Sequence, residues 1–205
     1  RQLYRDMIIN HAQSWNVNTA SNRNLRMGWD NYAPSLNGLH TTPQVMPSVI
    51  AYHLTNDPVY LNTIVTSVDY NLGVNPANMS WISGLGERNP SSGILDLNSW
   101  YYDFPGKENG ETLIVLIPYG TYPKGDQTGP ANGSFNNDYA RTKLSPADDA
   151  CPIGETWQNN RQSPRTGEFT INQNISPAVL VYGFLNALHN TAVPVMGIAL
   201  TPDSL

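Results

Sequence analysis

The sequence has a single cysteine, Cys151, in 205 residues, so it carries no internal disulfide framework. The plainest role for Cys151 is a small buried side chain. Charged residues make up 13% of the chain, about half the usual share. The formal net charge is -5 and the pI is about 5.2. That balance argues against a nucleic-acid partner, because phosphate backbones attract Lys and Arg. No apolar run approaches the roughly 20 residues that a membrane-spanning helix needs. The histidines His11, His40, His53 and His189 are scattered, with no paired ligand spacing, so no metal site is read from them. No cofactor is expected; a structural Ca²⁺ on loop oxygens of Asp96 or Asp103 has no spacing behind it. There is no Gly-rich phosphate loop ahead of a helix and no Gly-x-Ser-x-Gly elbow. The chain shows no signal peptide, does not begin with Met and opens inside a helix-like pattern. A processed or cleaved N-terminus is therefore expected.

Asparagine is what the chain has in quantity, with 24 copies. Its hydrogen-bonding capacity thus comes mainly from amides and hydroxyls, which suits a surface facing sugars or water. Asn78-Met-Ser, Asn132-Gly-Ser and Asn174-Ile-Ser fit the N-glycosylation pattern, but in so Asn-rich a chain such tripeptides arise readily by chance.

Periodicity predicts an amphipathic helix over residues 1–16, with Tyr4, Met7, Ile8, His11 and Trp15 as its apolar stripe. A polar, turn-rich stretch follows over 17–34. A second helix is expected at about 43–54, with Pro43 near its first turn and Pro47 able to delay its start. The third is the clearest. Asp57 is a good N-cap and Pro58 a good first residue; Tyr60, Ile64, Val68 and Leu72 form one stripe, and Gly73 closes it. From Pro76 to Gly167 no long helix is expected; Leu113 to Ile117 is a short apolar run that could be a strand. A last helix begins near Phe169 or Ser176, with Ser176-Pro177 as N-cap and first residue and Val181, Phe184, Leu185 and Leu188 as its buried stripe. No internal repeat or domain linker is present. Helices alternating with long loops suit an antiparallel all-α array.

The densest information lies in Asp69-Tyr-Asn-Leu-Gly-Val-Asn-Pro-Ala-Asn-Met-Ser-Trp-Ile-Ser-Gly-Leu-Gly86, where a helix ends at Gly73 and a polar, aromatic loop opens. Loops of that kind usually carry function on a helical scaffold. The aromatic residues Trp81, Trp100, Tyr101, Tyr102 and Trp157 fall in the long loop region. A pyranose face stacks on such rings while Asn, Asp and Arg bond its hydroxyls. Each Trp taken alone is more often packing; several in one region point toward a cleft. Trp157-Gln-Asn-Asn-Arg161 reads as a subsite wall just ahead of Glu168. By pattern alone, Glu168 is an N-terminal Glu favoured by a helix dipole.

The stretch from Asp69 to Pro90 resembles the segment in family 9 glycoside hydrolases where a barrel helix ends and the active-site loop begins. Residues 167–188, Gly-Glu-Phe-Thr-Ile-Asn-Gln-Asn-Ile-Ser-Pro-Ala-Val-Leu-Val-Tyr-Gly-Phe-Leu-Asn-Ala-Leu, are similar to that family's last barrel helix, whose opening Glu is the general acid. Gly28-Trp29-Asp30-Asn31 is similar to the turn ahead of the preceding helix. Order and spacing agree across Arg1 to Asn190, matching the C-terminal half of such a catalytic domain, with 191–205 as an extended tail. The resemblance implies part of an (α/α)6 barrel with long active-site loops, and inverting hydrolysis of a β-linked glucan or related polysaccharide. It implies Glu168 as general acid, and the loop residues Trp81, Arg88, Trp100, Tyr101, Trp157 and Arg161 are the expected substrate contacts beside it. It also implies an extracellular, periplasmic or cell-surface location. Two departures stand out. The Asp-Ala-Gly-Asp-type motif that supplies the family's general base does not occur, and the adjacent pair Asp148-Asp149 reads as a solvated turn. The His-His-Arg-type motif after the Gly-x-Gly loop is absent, leaving Arg88 either to take over a sugar contact or to sit on the surface beside Glu87. The expected partners are an oligosaccharide or polysaccharide, and the N-terminal half of the barrel or another chain. The alternatives are a non-catalytic carbohydrate-binding or cell-surface protein on the same barrel, and an assembly protein whose aromatic loops make protein contacts.

Overall fold

The structure, a computed structural model, describes residues 1–23, 25–29, 41–90, 114–121, 157, 167, 169, 171 and 174–190. Its regular elements are helical. They are α1 (Gln2–His11), a π-helical stretch (Ala12–Val17), α2 (Asn18–Asn22), α3 (Met46–Thr55), α4 (Pro58–Leu72), a second π-helical stretch (Asn174–Val179) and α5 (Leu180–Asn190). No strand occurs among the described residues. The expected tail, 191–205, lies outside them, as do Asp96, Asp103, Cys151 and the Asp148-Asp149 pair.

Helix α4 forms as its sequence dictates. The Asp57 carboxylate accepts from the Val59 N–H at 2.9 Å, Pro58 sets the first turn, and Gly73 ends it at φ 146°. Tyr60, Ile64 and Val68 are buried; Leu72 is 41% exposed, and Asn71 takes the inward position beside it. Helix α3 starts at Met46, with Pro47 in its first turn, later than the expected 43. It is tied to α4 by a two-residue link. Asn56 there is left-handed at φ 55° and donates its N–H to the Tyr52 carbonyl at 2.7 Å, so the two helices fold back on each other.

The N-terminal helix departs from expectation. It runs six residues further, to Asn22, because the π-helical stretch continues it. The predicted stripe also faces outward: Tyr4 is 70% exposed, Met7 58% and Trp15 53%. The packed face is instead Ala12, Asn16, Val17 and Ala20. Small Ala side chains let the helix approach closely, so that Ala12 and Val17 meet Ala51 and Tyr60 in one apolar cluster. The π turn adds a residue to the helical repeat, which rotates the face that follows it. Asn16 is tolerated inside because its amide donates to the carbonyls of Gly28 (2.6 Å) and Gln44 (3.2 Å), while the Ser48 hydroxyl donates to its oxygen at 3.0 Å.

The main core joins Met27, Trp29, Val45, Val49, Ile64, Val68, Tyr70 and Val181, with Phe184 and Leu185 packed against it. Full burial of a residue such as Ile64 contributes about 1.5–3 kcal/mol. Of the predicted stripe Val181 is buried, while Phe184, Leu185 and Leu188 are half-buried. Ser176-Pro177, by contrast, does not open the helix; Pro177 lies inside the π-helical stretch that starts at Asn174. Gly28 allows the closest approach in this core. A Cβ there would come within 2.8 Å of Val45 Cγ1 and 3.0 Å of Thr63 Cγ2, and its N–H donates to Ser67 Oγ at 3.0 Å.

Burial pushes the Tyr70 hydroxyl up to about 12, with Arg23 opposing slightly, and burial raises Tyr182 as well. The folded state then keeps protons that the unfolded chain loses above its ordinary value of 10.0. Stability is expected to be unaffected below pH 10 and to fall as pH rises through about 12, by roughly 3 kcal/mol from Tyr70 alone. Urea unfolding followed across pH 8 to 12 checks this. A Tyr70→Phe variant should have a flatter profile, and an unchanged slope would remove Tyr70 as its source.

Candidate functional site

The loop after α4 is built on asparagine side chains. Val74 donates its N–H to the Asp69 carbonyl at 2.9 Å, which turns the chain away from the helix axis. Asn75 then sits inside its own loop. Its amide donates to the carbonyls of Tyr70 (2.7 Å) and Met79 (2.8 Å), and its oxygen accepts from the Met79 N–H at 3.4 Å. The Ser80 N–H donates to the Arg88 carbonyl at 2.9 Å and closes the loop's far arm. Within that arm Asn89 accepts from the Gly84 N–H at 3.0 Å and donates to the Gly86 carbonyl at 2.7 Å. Gly84 and Gly86 are left-handed at φ 76° and 82°, a conformation that L side chains resist.

Asn71 holds this loop to the rest of the fold. It is fully buried near the end of α4. Its carbonyl accepts from the Trp81 N–H at 2.9 Å. Its side-chain amide donates to the Thr41 carbonyl, and its side-chain oxygen accepts from the Tyr182 hydroxyl of α5. A single residue therefore connects α4, the segment entering α3, the aromatic loop and the last helix.

The expected strand at 113–117 does not form among its described residues. Val115 is left-handed at φ 59°, which breaks an extended run. The segment is held by hydrogen bonds to Ser83. The Ser83 N–H donates to the Leu116 carbonyl at 2.9 Å, the Val115 N–H to the Ser83 carbonyl at 2.8 Å, and the Leu116 N–H to Ser83 Oγ at 2.9 Å. Asn174 completes the tie: Ile117 donates its N–H to Asn174 Oδ1 at 2.7 Å, and Asn174 Nδ2 donates to the Ile117 carbonyl at 3.1 Å.

Of the residues singled out from the sequence, the structure brings Trp81 and Trp157 together, edge to face, with ring centroids 5.5 Å apart. Trp81 is 1% exposed and packs with Met79, Ile117 and Ala178, so it lies in the core instead of on an open surface. Its indole N–H has no hydrogen-bond partner. Trp157 is half-buried and is the ring of the pair with surface to offer. Arg88 is exposed and makes no ion pair with Glu87. Glu168, Trp100, Tyr101 and Arg161 lie outside the described residues, though Gly167 is buried and Phe169 half-buried on either side of Glu168. Sequence reasoning missed Asn71, Asn75, Asn174 and Tyr182. The abundance of Asn was the available signal, and it did not say which copies are buried.

A cavity of about 340 Å³ opens between the Gly84 loop, the 114–117 segment and the helical stretch from Asn174 to Tyr182. Among the described residues no group of three His, Cys, Asp or Glu is arranged to hold a metal ion. No helix there is long and apolar enough to cross a membrane.

No protein-family model matches the sequence, and no curated protein matches it. Solved structures do match. The structure of AaCel9A in complex with cellobiose-like isofagomine aligns with a TM-score of 0.62 at 14% identity, over 92% of this chain and 32% of that one. A Bacteroides ovatus GH9 structure aligns at 0.61 and 18% identity, over 90% and 28%. The GH family 9 endoglucanase J30 aligns at 0.57 and 19% identity, over 86% and 29%. Identities this low show a shared fold. Among the described residues the chain is all-α, with a fold like part of the (α/α)6 barrel of these neighbours, and it spans between 28% and 32% of their length.

Proposed function

We propose that the chain is the C-terminal portion of a glycoside hydrolase of the family 9 type, with residues 1–190 in the barrel. In this reading it cleaves a β-linked glucan or related polysaccharide with inversion. Glu168 protonates the leaving oxygen, and an Asp supplied from outside residues 1–205 activates water, across the gap of roughly 6.5–9.5 Å that inversion needs. Trp157, Arg88, Trp100, Tyr101 and Arg161 line the cleft, with Trp81 behind Trp157 as its support. The observation that carries the reading is the Asn-built loop fixed by Asn71 at the end of α4, on a fold shared with endoglucanases. A location outside the cytoplasm follows from a polymeric substrate. The outward stripe of Tyr4, Met7 and Trp15 supports a further barrel segment or another chain as a packing partner.

The test is the configuration of the product. Hydrolysis of a β-1,4-glucan by the full-length protein, followed by NMR, is expected to release the α anomer first; a β anomer formed first would overturn inversion. Trp157→Ala should weaken oligosaccharide binding in a titration while the circular dichroism spectrum stays native. Unchanged affinity would remove Trp157 from the cleft, and global unfolding would assign it to the core.

The second reading, a carbohydrate-binding protein that kept the barrel without the chemistry, is favoured by the absence of any His between His53 and His189. Binding without turnover in the full-length protein would select it.

A further inference from the structure

The Asn-x-Ser tripeptides at Asn78, Asn132 and Asn174 look alike in sequence, and the structure separates them. Asn132 lies outside the described residues. Asn174 is half-buried, and both ends of its amide are engaged. Its Oδ1 accepts from the Ile117 N–H at 2.7 Å, and its Nδ2 donates to the Ile117 carbonyl at 3.1 Å. An oligosaccharide on that nitrogen would set a bulky group into the junction of two segments. Pro177 also follows Ser176 directly. It restricts the serine in the unfolded chain, where acceptor tripeptides are read.

Asn78 is the opposite case. It is exposed, while Met79 and Ser80 after it are each 6% exposed, so the loop turns this one side chain outward. Its backbone N–H donates to the Asn75 carbonyl at 2.9 Å and closes a turn, and its φ is 47°. Asn accepts that left-handed conformation more readily than most residues. The Asn78 side chain makes no hydrogen bond among the described residues. The contacts that hold the loop come from elsewhere: Asn75 binds the Tyr70 and Met79 carbonyls, and the Asn71 carbonyl takes the Trp81 N–H. A substituent on Asn78 Nδ2 breaks none of them. Neither Met79 nor Trp81, on either side of Ser80, is a proline.

We propose that Asn78 is an N-glycosylation site, taking an oligosaccharide from a lipid-diphosphate donor. In that transfer Nδ2 forms a bond to the anomeric carbon of the sugar. The bond from that carbon to the diphosphate oxygen breaks, the lipid diphosphate leaves with the electron pair, and Nδ2 gives up one proton. Asn174 is refused by the same criteria that admit Asn78. The assignment needs passage out of the cytoplasm but none of the hydrolase chemistry.

The test secretes the full-length protein from a eukaryotic cell behind a fused signal peptide. The folded product is treated with peptide N-glycosidase in heavy-oxygen water. That enzyme turns each glycosylated Asn into an Asp carrying one heavy oxygen, so peptide mass spectrometry reads each position separately. Position 78 is expected as heavy Asp and position 174 as unchanged Asn. Asn78→Asp suits the same left-handed backbone; it should lose the glycan at 78 while the circular dichroism spectrum stays native. Removing the glycan from the wild-type protein should leave the same spectrum, because the loop's anchors lie elsewhere. An unmodified Asn78 in the secreted protein, or a glycan on Asn174, would overturn the assignment.

Discussion

Glu168→Gln in the full-length protein is expected to cut turnover of an unactivated β-glucan by about 10²–10⁴-fold, the usual worth of proton donation to a leaving group. The substitution preserves shape and most hydrogen bonds but removes the proton that the leaving oxygen needs. Two corollaries separate this from a structural effect. The loss should shrink for glycosides with activated leaving groups, which depart without a proton. Oligosaccharide affinity should persist, because the subsites are untouched. A Glu that only complements a helix dipole would behave otherwise: stability would drop by roughly 0.3–1 kcal/mol and turnover would barely change. Near-normal hydrolysis of an unactivated glycan by the Gln variant would leave the binding-protein reading in front.

The parts of the fold legible in the sequence are those fixed by local chemistry. Helix α4 is the clearest case, since Asp57, Pro58 and Gly73 each act within one turn of where they stand. The all-α class was legible for the same reason, as was the stripe of Val181, Phe184 and Leu185 in α5. The first helix was misread because periodicity identifies an apolar face without saying which face finds a partner. Its residues Ala12, Val17 and Ala20 pack, and Tyr4, Met7 and Trp15 face out. The run ending at Ile117 looked like a strand because composition there is apolar. The left-handed Val115 and the side chains of Ser83 and Asn174 decide its path, and those contacts are remote in sequence. Trp81 and Trp157 were both read as loop aromatics. Their pairing, with one buried and one half-buried, depends on where a distant segment crosses the loop. Glu168 rests on resemblance, and Trp100, Tyr101 and Arg161 on the composition of the loop region, since all four lie outside the described residues.

Asn71→Ala is expected to produce the largest stability loss of any single polar substitution in the described residues. Asn71 and Thr41 are fully buried, while Tyr182 is half-buried. Truncation leaves the Thr41 carbonyl without its donor and the Tyr182 hydroxyl without its acceptor, on two different elements. A lost buried hydrogen bond with its partner left behind costs about 1–3 kcal/mol, so a loss of roughly 2–5 kcal/mol follows once the small void is added. Against a typical total of about 5–15 kcal/mol, that is a large fraction. The Trp81 N–H bond to the Asn71 carbonyl survives, because it uses backbone. The aromatic loop should therefore stay near α4 while α5 loosens from it. Tyr182→Phe separates the two halves of the effect, removing only the hydroxyl and leaving the Thr41 bond in place. Its loss should be about 1–3 kcal/mol, and the double variant should cost less than the sum of the singles, because both delete the same hydrogen bond. Chemical denaturation of the four proteins in this cycle measures the coupling. Strict additivity would mean that Asn71 and Tyr182 do not act as a unit, and the clasp between α4 and the last helix would have to lie elsewhere.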